Sequence, residues 1–243
     1  MTTRQLSRWM LCVAALAASV ASAQDPRPNS NSTESNSGQV HLRLVQTQPG
    51  KHHAVPAVVW LEPQAGTPVL AFPAHGRYTL LQKNRMFTPH LQVIPVGSVV
   101  QFPNADPFFH NVFSLFDGRR FDLGLYEAGS SRSVTFSREG VSYIFCNIHP
   151  EMSAVVLTLS TPLYAVEAVG TDFVLHDVPP GDYKLNLWVE GVPQPTLDSL
   201  QRHVHVPSHA IDLGDVNVPA GKVSPDHSNK FGGAYDHQPD STY

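Results

Sequence analysis

Three side chains able to bind a soft metal fall in one short run, Tyr143-Ile144-Phe145-Cys146-Asn147-Ile148-His149-Pro150-Glu151-Met152. A thiolate at Cys146, an imidazole at His149 and a thioether at Met152 together suit copper. A second imidazole at His110, in His110-Asn111-Val112-Phe113, completes the two-His, one-Cys, weak-axial-Met set of electron-transfer copper sites. The three-residue steps from Cys146 to His149 and on to Met152 let one tight loop fold its donors round a single ion, and Pro150 stiffens that loop. His110 has to arrive from a distant loop. Anchoring the donors on two strands holds their geometry as a metal changes oxidation state. Blander readings stay open: Cys146 as a buried apolar thiol, Met152 as core filling, and His110 or His149 as an ordinary loop histidine.

The elements around these residues read as strands. Val40, Leu42 and Leu44 alternate with His41 and Arg43, Ala57–Leu61 is a short apolar run, and Leu91–Phe102 is β-branched around a turn at Pro95–Gly97. Runs at Ser133–Phe136, Ser142–Phe145 and Ala154–Leu159 continue the pattern, and no helical period exceeds about two turns. A second group starts near Thr161, with Tyr164–Val169, Phe173–Leu175, Tyr183–Val189, His203–Val206 and Val216–Val218. Within it, Tyr183, Leu185, Leu187 and Val189 share one strand face. Regular short strands predict an all-β protein of two β-sandwiches. The expected division is a leader at 1–23, a flexible Pro/Asn/Ser/Thr-rich linker at 24–37, a metal-binding sandwich at 38–160, a smaller β-domain at 161–219 and a polar, disordered tail at 220–243. The metal-binding part is expected to be separable near Ser160, although the first strands at Val40–Leu61 could pair with either sandwich.

Arg4 and Arg8, the apolar run Met10–Ala18 and Ala21-Ser22-Ala23 have the order of an export signal, with cleavage expected after Ala23 and a periplasmic or otherwise secreted product. Loss of the leader takes away two arginines and no acids, and turns the formal net charge of −4 into −6. Without a basic run the chain has no footprint for nucleic acid, and the rest offers no apolar stretch long enough to span a membrane. The chain has 2 cysteines, and Cys12 lies in the leader, so Cys146 is left alone in an oxidising compartment. His203 and His205 share a strand face and could bind a second metal, but a solvated face is the simpler reading, as it is for His52, His53, His227 and His237. A single His-x-His pair is too few for the oxygen-reducing cluster of a copper oxidase.

The ligand run resembles the cupredoxins, and its Cys-x-x-His-x-x-Met spacing is closer to that of amicyanin than to the longer loop of plastocyanin. Together with Asn104-Ala105-Asp106, His110-Asn111-Val112-Phe113 and Phe121-Asp122-Leu123-Gly124-Leu125-Tyr126, it looks like the secreted plastocyanin-like proteins of methylamine-utilisation type. In these a carboxypeptidase-regulatory-like, transthyretin-like β-domain follows the copper domain, and the turn at Val178–Tyr183 fits that. The resemblance covers roughly residues 38–195. It implies a Greek-key cupredoxin sandwich, one type 1 copper per chain on His110, Cys146, His149 and Met152, and a role for Asn111 in tying the two ligand loops together by hydrogen bonding. Pro150-Glu151 departs from many relatives.

The function expected is a one-electron carrier, not an enzyme, cycling between Cu(I) and Cu(II), with His149 as the exposed edge where a redox protein docks. Phe108, Phe109, Ile148 and Pro150 flank that edge. The alternatives are a copper-binding or copper-handling protein without an electron-transfer partner, an adhesion or assembly role for the second domain, and a thiol enzyme with Cys146 as nucleophile and His149 as base. The last leaves His110 and Met152 without a role.

Overall fold

In a computed structural model the described residues are 38–47, 54–72, 76–115, 118–221 and 228–235. The expected leader and linker lie outside them, as do His52, His53, His227 and His237. The strands are Gly38–Gln46 (β1), Pro56–Pro63 (β2), Arg77–Thr79 (β3), Leu81–Lys83 (β4), Met86–Thr88 (β5), Leu91–Pro95 (β6), Ser98–Pro103 (β7), His110–Ser114 (β8), Phe121–Tyr126 (β9), Ser131–Phe136 (β10), Gly140–Cys146 (β11), Ser153–Leu159 (β12), Tyr164–Ala168 (β13), Asp172–Val178 (β14) and Gly181–Val189 (β15). After one short helix, Gln194–Asp198 (α1), come Arg202–Val206 (β16) and Ile211–Val218 (β17). The protein is an all-β sandwich fold.

Two sheets, in the orders β10-β7-β3 and β6-β12-β11-β8-β9, enclose one core. Successive strand side chains point to opposite faces. Ile144 and Cys146 of β11 and Ala154 and Val156 of β12 therefore meet Val100 and Phe102 of β7 and Val134 and Phe136 of β10 inside it. Two further sheets, β13-β2-β15-β16 and β14-β1-β17, enclose the second core, where Val40, Leu42 and Leu44 meet Tyr183, Leu185 and Leu187. The alternation in Tyr183–Val189 read from the sequence is the inward face of β15.

Strand β12 joins the two halves. Ala154 and Val156 belong to the first core, whereas Val155, Leu157 and Leu159 belong to the second. The strand is thus buried on both faces, which explains why Ala154–Leu159 is apolar at every position but Thr158 rather than alternating. Tyr143 of β11 packs on the same side, and its hydroxyl accepts a bond from the Trp188 indole N–H at 3.3 Å.

The strand pairing divides the chain differently from the boundary expected at Thr161. β2 pairs antiparallel with both β13 and β15, and β1 pairs with β14 and β17. The first two strands therefore belong to the second sandwich, and the first sandwich, β3 to β12, is inserted between the neighbouring strands β2 and β13. The Leu61 N–H donates to the Leu163 carbonyl at 2.9 Å, so the insert leaves and rejoins at adjacent points. Alternation identifies which face of a strand is buried, and both cores present the same apolar chemistry, so pattern alone could not assign β1 and β2. The expected tail also differs in part. Residues 228–235 form a turn bonded to the loop after β11 (Lys230 N–H to Asn147 Oδ1, 2.9 Å).

Because β12 serves both cores, a fragment ending near Ser160 would bare Val155, Leu157 and Leu159 and strip β1 and β2 of their partners. In the full chain, Leu157→Ala should cost about 2–5 kcal/mol. Denaturant unfolding followed by tryptophan fluorescence checks this, and a loss below about 1 kcal/mol would show that the second face of β12 is not a packed interior.

Candidate metal centre

His110 opens β8 directly after a tight turn in which the Asn104 amide donates to the Phe108 carbonyl at 2.7 Å and the Asp106 N–H donates to Asn104 Oδ1 at 3.0 Å. The turn buries Asp106, which is 5% exposed. Its carboxylate accepts the N–H groups of Asn84 at 2.6 Å and Arg85 at 3.0 Å, and lies 3.0 Å from His110 Nε2. Asn84 and Arg85 sit at the tip of the β4–β5 hairpin with φ of 55° and 56°, the left-handed pair that a two-residue turn requires. Burial alone would raise the Asp106 carboxyl, but the bonds from Arg85, His110 and Asn84 outweigh it and hold it below the ordinary carboxylate value. An ionised carboxylate only accepts, so His110 carries its proton on Nε2 and turns the lone pair of Nδ1 inward.

Cys146 ends β11 and is fully buried. The turn beyond it closes through its own backbone: the Cys146 N–H donates to the Met152 carbonyl at 3.2 Å, and the Met152 N–H to the His149 carbonyl at 3.1 Å. The neighbouring strand adds a third tie, from the Asn147 N–H to the Asn111 carbonyl at 2.9 Å. These bonds set Cys146 Sγ 3.6 Å from His110 Nδ1 and 3.5 Å from His149 Nδ1. The three donor atoms lie within 4.8 Å of one another, and among the described residues this is the group of His, Cys and acidic side chains with metal-binding spacing.

The donors fit a metal. Metal–sulfur bonds of about 2.3 Å and metal–nitrogen bonds of about 2.0–2.1 Å, at angles between tetrahedral and trigonal, separate S from N by about 3.5–3.8 Å. Both imidazoles are held in the neutral, ligating form. Burial lowers His110 against the pull of Asp106, and burial, His110 and the Arg85 guanidinium bring His149 down to about 4. Burial raises the Cys146 thiol, while backbone hydrogen bonds from Asn111, Ile148 and His149 work the other way. Those bonds aim at the sulfur and favour its thiolate once a cation offsets the burial.

Of the residues singled out in the sequence, His110, Cys146 and His149 are brought together. Met152 is 1% exposed and lies in the same core as Cys146, and its backbone closes the loop. Asn111 links the two loops through its backbone, while its side-chain amide donates to Asp122 Oδ1 at 2.7 Å. Phe108 packs against both imidazoles, with ring centroids 5.3 Å from His110 and 5.4 Å from His149, and the Arg85 guanidinium lies over its ring. Phe109 and Ile148 are exposed beside them. His203 and His205 face solvent on β16, and His205 is engaged by Asp182 at 2.8 Å, so they form no joint site among the described residues. Asp106 went unassigned in the sequence, although its placement four residues before His110 was a usable signal. Arg85 and the segment at 228–235 carried none.

The chain matches no family model and no curated protein. Solved structures similar to part of it include a purple cupredoxin from Nitrosopumilus maritimus, 25% identical over 34% of this chain and 98% of that one, with a TM-score of 0.31. A Cu(I) form of an amicyanin variant is 18% identical over 42% of this chain and 98% of that one, with a TM-score of 0.33. A Cu-containing nitrite reductase from Thermus scotoductus SA-01 is 22% identical over 48% of this chain and 28% of that one, with a TM-score of 0.33.

Asp106→Asn places an amide opposite His110 Nε2, which frees the imidazole to take the wrong tautomer, and leaves one of the Asn84 and Arg85 N–H groups at the hairpin tip without its acceptor. Copper affinity should fall about 10–100-fold, read by competition with a chromophoric chelator. An unchanged affinity would show that Asp106 does not orient the ligand.

Proposed function

We propose that this is an exported type 1 copper protein, with one copper per chain, that carries single electrons between protein partners. The observation behind this reading is the convergence of His110 Nδ1, His149 Nδ1 and Cys146 Sγ in a buried site where burial favours the neutral imidazoles and Asp106 orients His110. Bound copper would supply a one-electron couple at that point. His110, His149 and Cys146 would hold the copper, and Met152, buried in the same core, would be a fourth and weaker donor.

The rest of the chemistry belongs to the chain. Cys146 gives up its proton on binding metal, and the N–H groups of Asn111, Ile148 and His149 stabilise the sulfur charge. Phe108 and the core around Met152 keep water from the donors. The hydrogen-bonded turn between β11 and β12 resists rearrangement when the charge at the site changes. His149 is half-buried, beside exposed Phe109 and Ile148, which supports electron transfer through its edge and an apolar contact with a redox partner. A thiol enzyme is disfavoured because the buried Cys146 has its thiol raised, whereas reactive cysteines are accessible and low.

Purified protein given Cu(II) should turn intensely blue with one copper per chain, and Cys146→Ser should abolish the colour, because a hydroxyl stays protonated and is a poor soft ligand. Absorption spectroscopy with metal quantification checks both, and a colourless protein in excess Cu(II) would overturn the reading. Reversible reduction by a physiological one-electron donor separates a carrier from a protein that only handles copper. Met152→Leu should keep the blue site and raise its reduction potential in protein-film voltammetry, since the weak axial bond tunes the copper without holding it. Complete loss of copper from that variant would refute the axial assignment.

A further inference from the structure

Residues 228–235 lie about 80 residues beyond the ligand loop in sequence, yet close on it in space. Asn229 makes the segment a small closed turn: its side-chain oxygen accepts the N–H groups of Phe231 and Gly233, each at 3.0 Å, and its own N–H donates to the Gly233 carbonyl at 2.9 Å. From this turn three bonds reach the metal centre. The Tyr235 hydroxyl donates to the Cys146 carbonyl at 2.7 Å, the Lys230 N–H donates to Asn147 Oδ1 at 2.9 Å, and Lys230 Nζ meets Asp122 Oδ2 at 2.8 Å. The other oxygen of Asp122 accepts the side-chain amide of Asn111, the residue whose backbone N–H points at the Cys146 sulfur and whose carbonyl accepts the Asn147 N–H. The segment therefore grips both ligand-bearing strands, β11 directly and β8 through Asp122 and Asn111.

We propose that Lys230 and Tyr235 are positioning residues which clamp the Cys146–Asn147 turn in its metal-binding geometry before the metal arrives. The clamp rests on the copper reading above for its purpose, though not for its geometry. The Cys146 carbonyl and the Asn147 side chain flank the peptide that directs the chain from Cys146 toward His149. Fixing both leaves that peptide little freedom to rotate the sulfur away from His110 Nδ1. The bonds from Lys230 and Tyr235 end on the Cys146 carbonyl, on Asn147 Oδ1 and on Asp122, so they act on the sulfur through the backbone and through Asn111.

The test uses metal-free, full-length protein and reads the rate of Cys146 alkylation by iodoacetamide from peptide masses, which separates Cys146 from Cys12. A net hydrogen bond of ordinary strength holds the turn closed by about three- to tenfold, so Tyr235→Phe should speed alkylation by about that factor with the circular dichroism unchanged. Lys230→Met keeps the backbone bond to Asn147 Oδ1 and removes only the partly exposed pair with Asp122, so its increase should be smaller, at most about fivefold. The Cu(II) form of Tyr235→Phe should also change the intensity ratio of its two thiolate absorption bands, which a residue that merely covers the site would not alter. Tyr235→Ala supplies the steric control. If Tyr235→Phe reacts at the wild-type rate with a wild-type spectrum, whether or not Tyr235→Ala is faster, the clamp is overturned and the segment is at most a cover. Wild-type protein that stays colourless with Cu(II), yet shows the accelerated alkylation in both variants, would defeat the copper reading while supporting the clamp.

Discussion

Burial of both faces of the strand Ser153–Leu159 is the constraint on which the rest of the structure depends. A strand covered on one side needs an apolar residue at every second position, whereas this one carries them on both faces, and each half of the molecule supplies one cover. The ligand loop is the connection between this strand and β11, so its two ends are fixed in the most enclosed layer of the fold. A short loop with immobile ends has few conformations, and three backbone bonds select among them. The order needed at the sulfur is thus built far from it, in the packing of Val155, Leu157 and Leu159 against the second core.

Around the donors, a second layer of polar contacts performs a different task. Asp106 collects the N–H groups of Asn84 and Arg85 and the ring of His110, which gives the hairpin tip, the turn and the imidazole one common acceptor. Asp122 does the same for Asn111 and Lys230. Each carboxylate joins elements that are separate in sequence. Each is held below its ordinary value by its donors, although burial acts on it in the opposite sense. Orientation of the site is therefore electrostatic as well as steric.

Much of this could be read from the sequence, and what could not has a physical reason. The closeness of Cys146 and His149 was readable because one short loop carries both, and β15 was readable because one of its faces is apolar and the other is not. The partners of β1 and β2 were hidden because period-two alternation reports a buried face and carries no information about which strand lies alongside. Lys230 and Tyr235 were hidden for another reason. A polar, glycine-rich stretch has the same composition whether it hangs in solvent or is tied down by three hydrogen bonds, and such bonds leave no periodicity. Asp106 stood between these cases, visible as a neighbour of His110 but without a sign of what it held.

The insertion of the first sandwich between β2 and β13 sets a schedule for synthesis. About 100 residues separate Pro63 from Tyr164, so at 5–20 residues per second β1 and β2 emerge about 5–20 s before the strands that will pair with them. During that interval their apolar faces have no partner, while β3 to β12, contiguous in the chain, can form their own contacts without waiting. By folding, the inserted sandwich draws Leu61 and Leu163 together and shortens the loop that the outer strands must close, which lowers the entropic cost of pairing β2 with β13. The two halves therefore complete each other: the insert closes the loop between β2 and β13, and the outer strands cover the second face of β12.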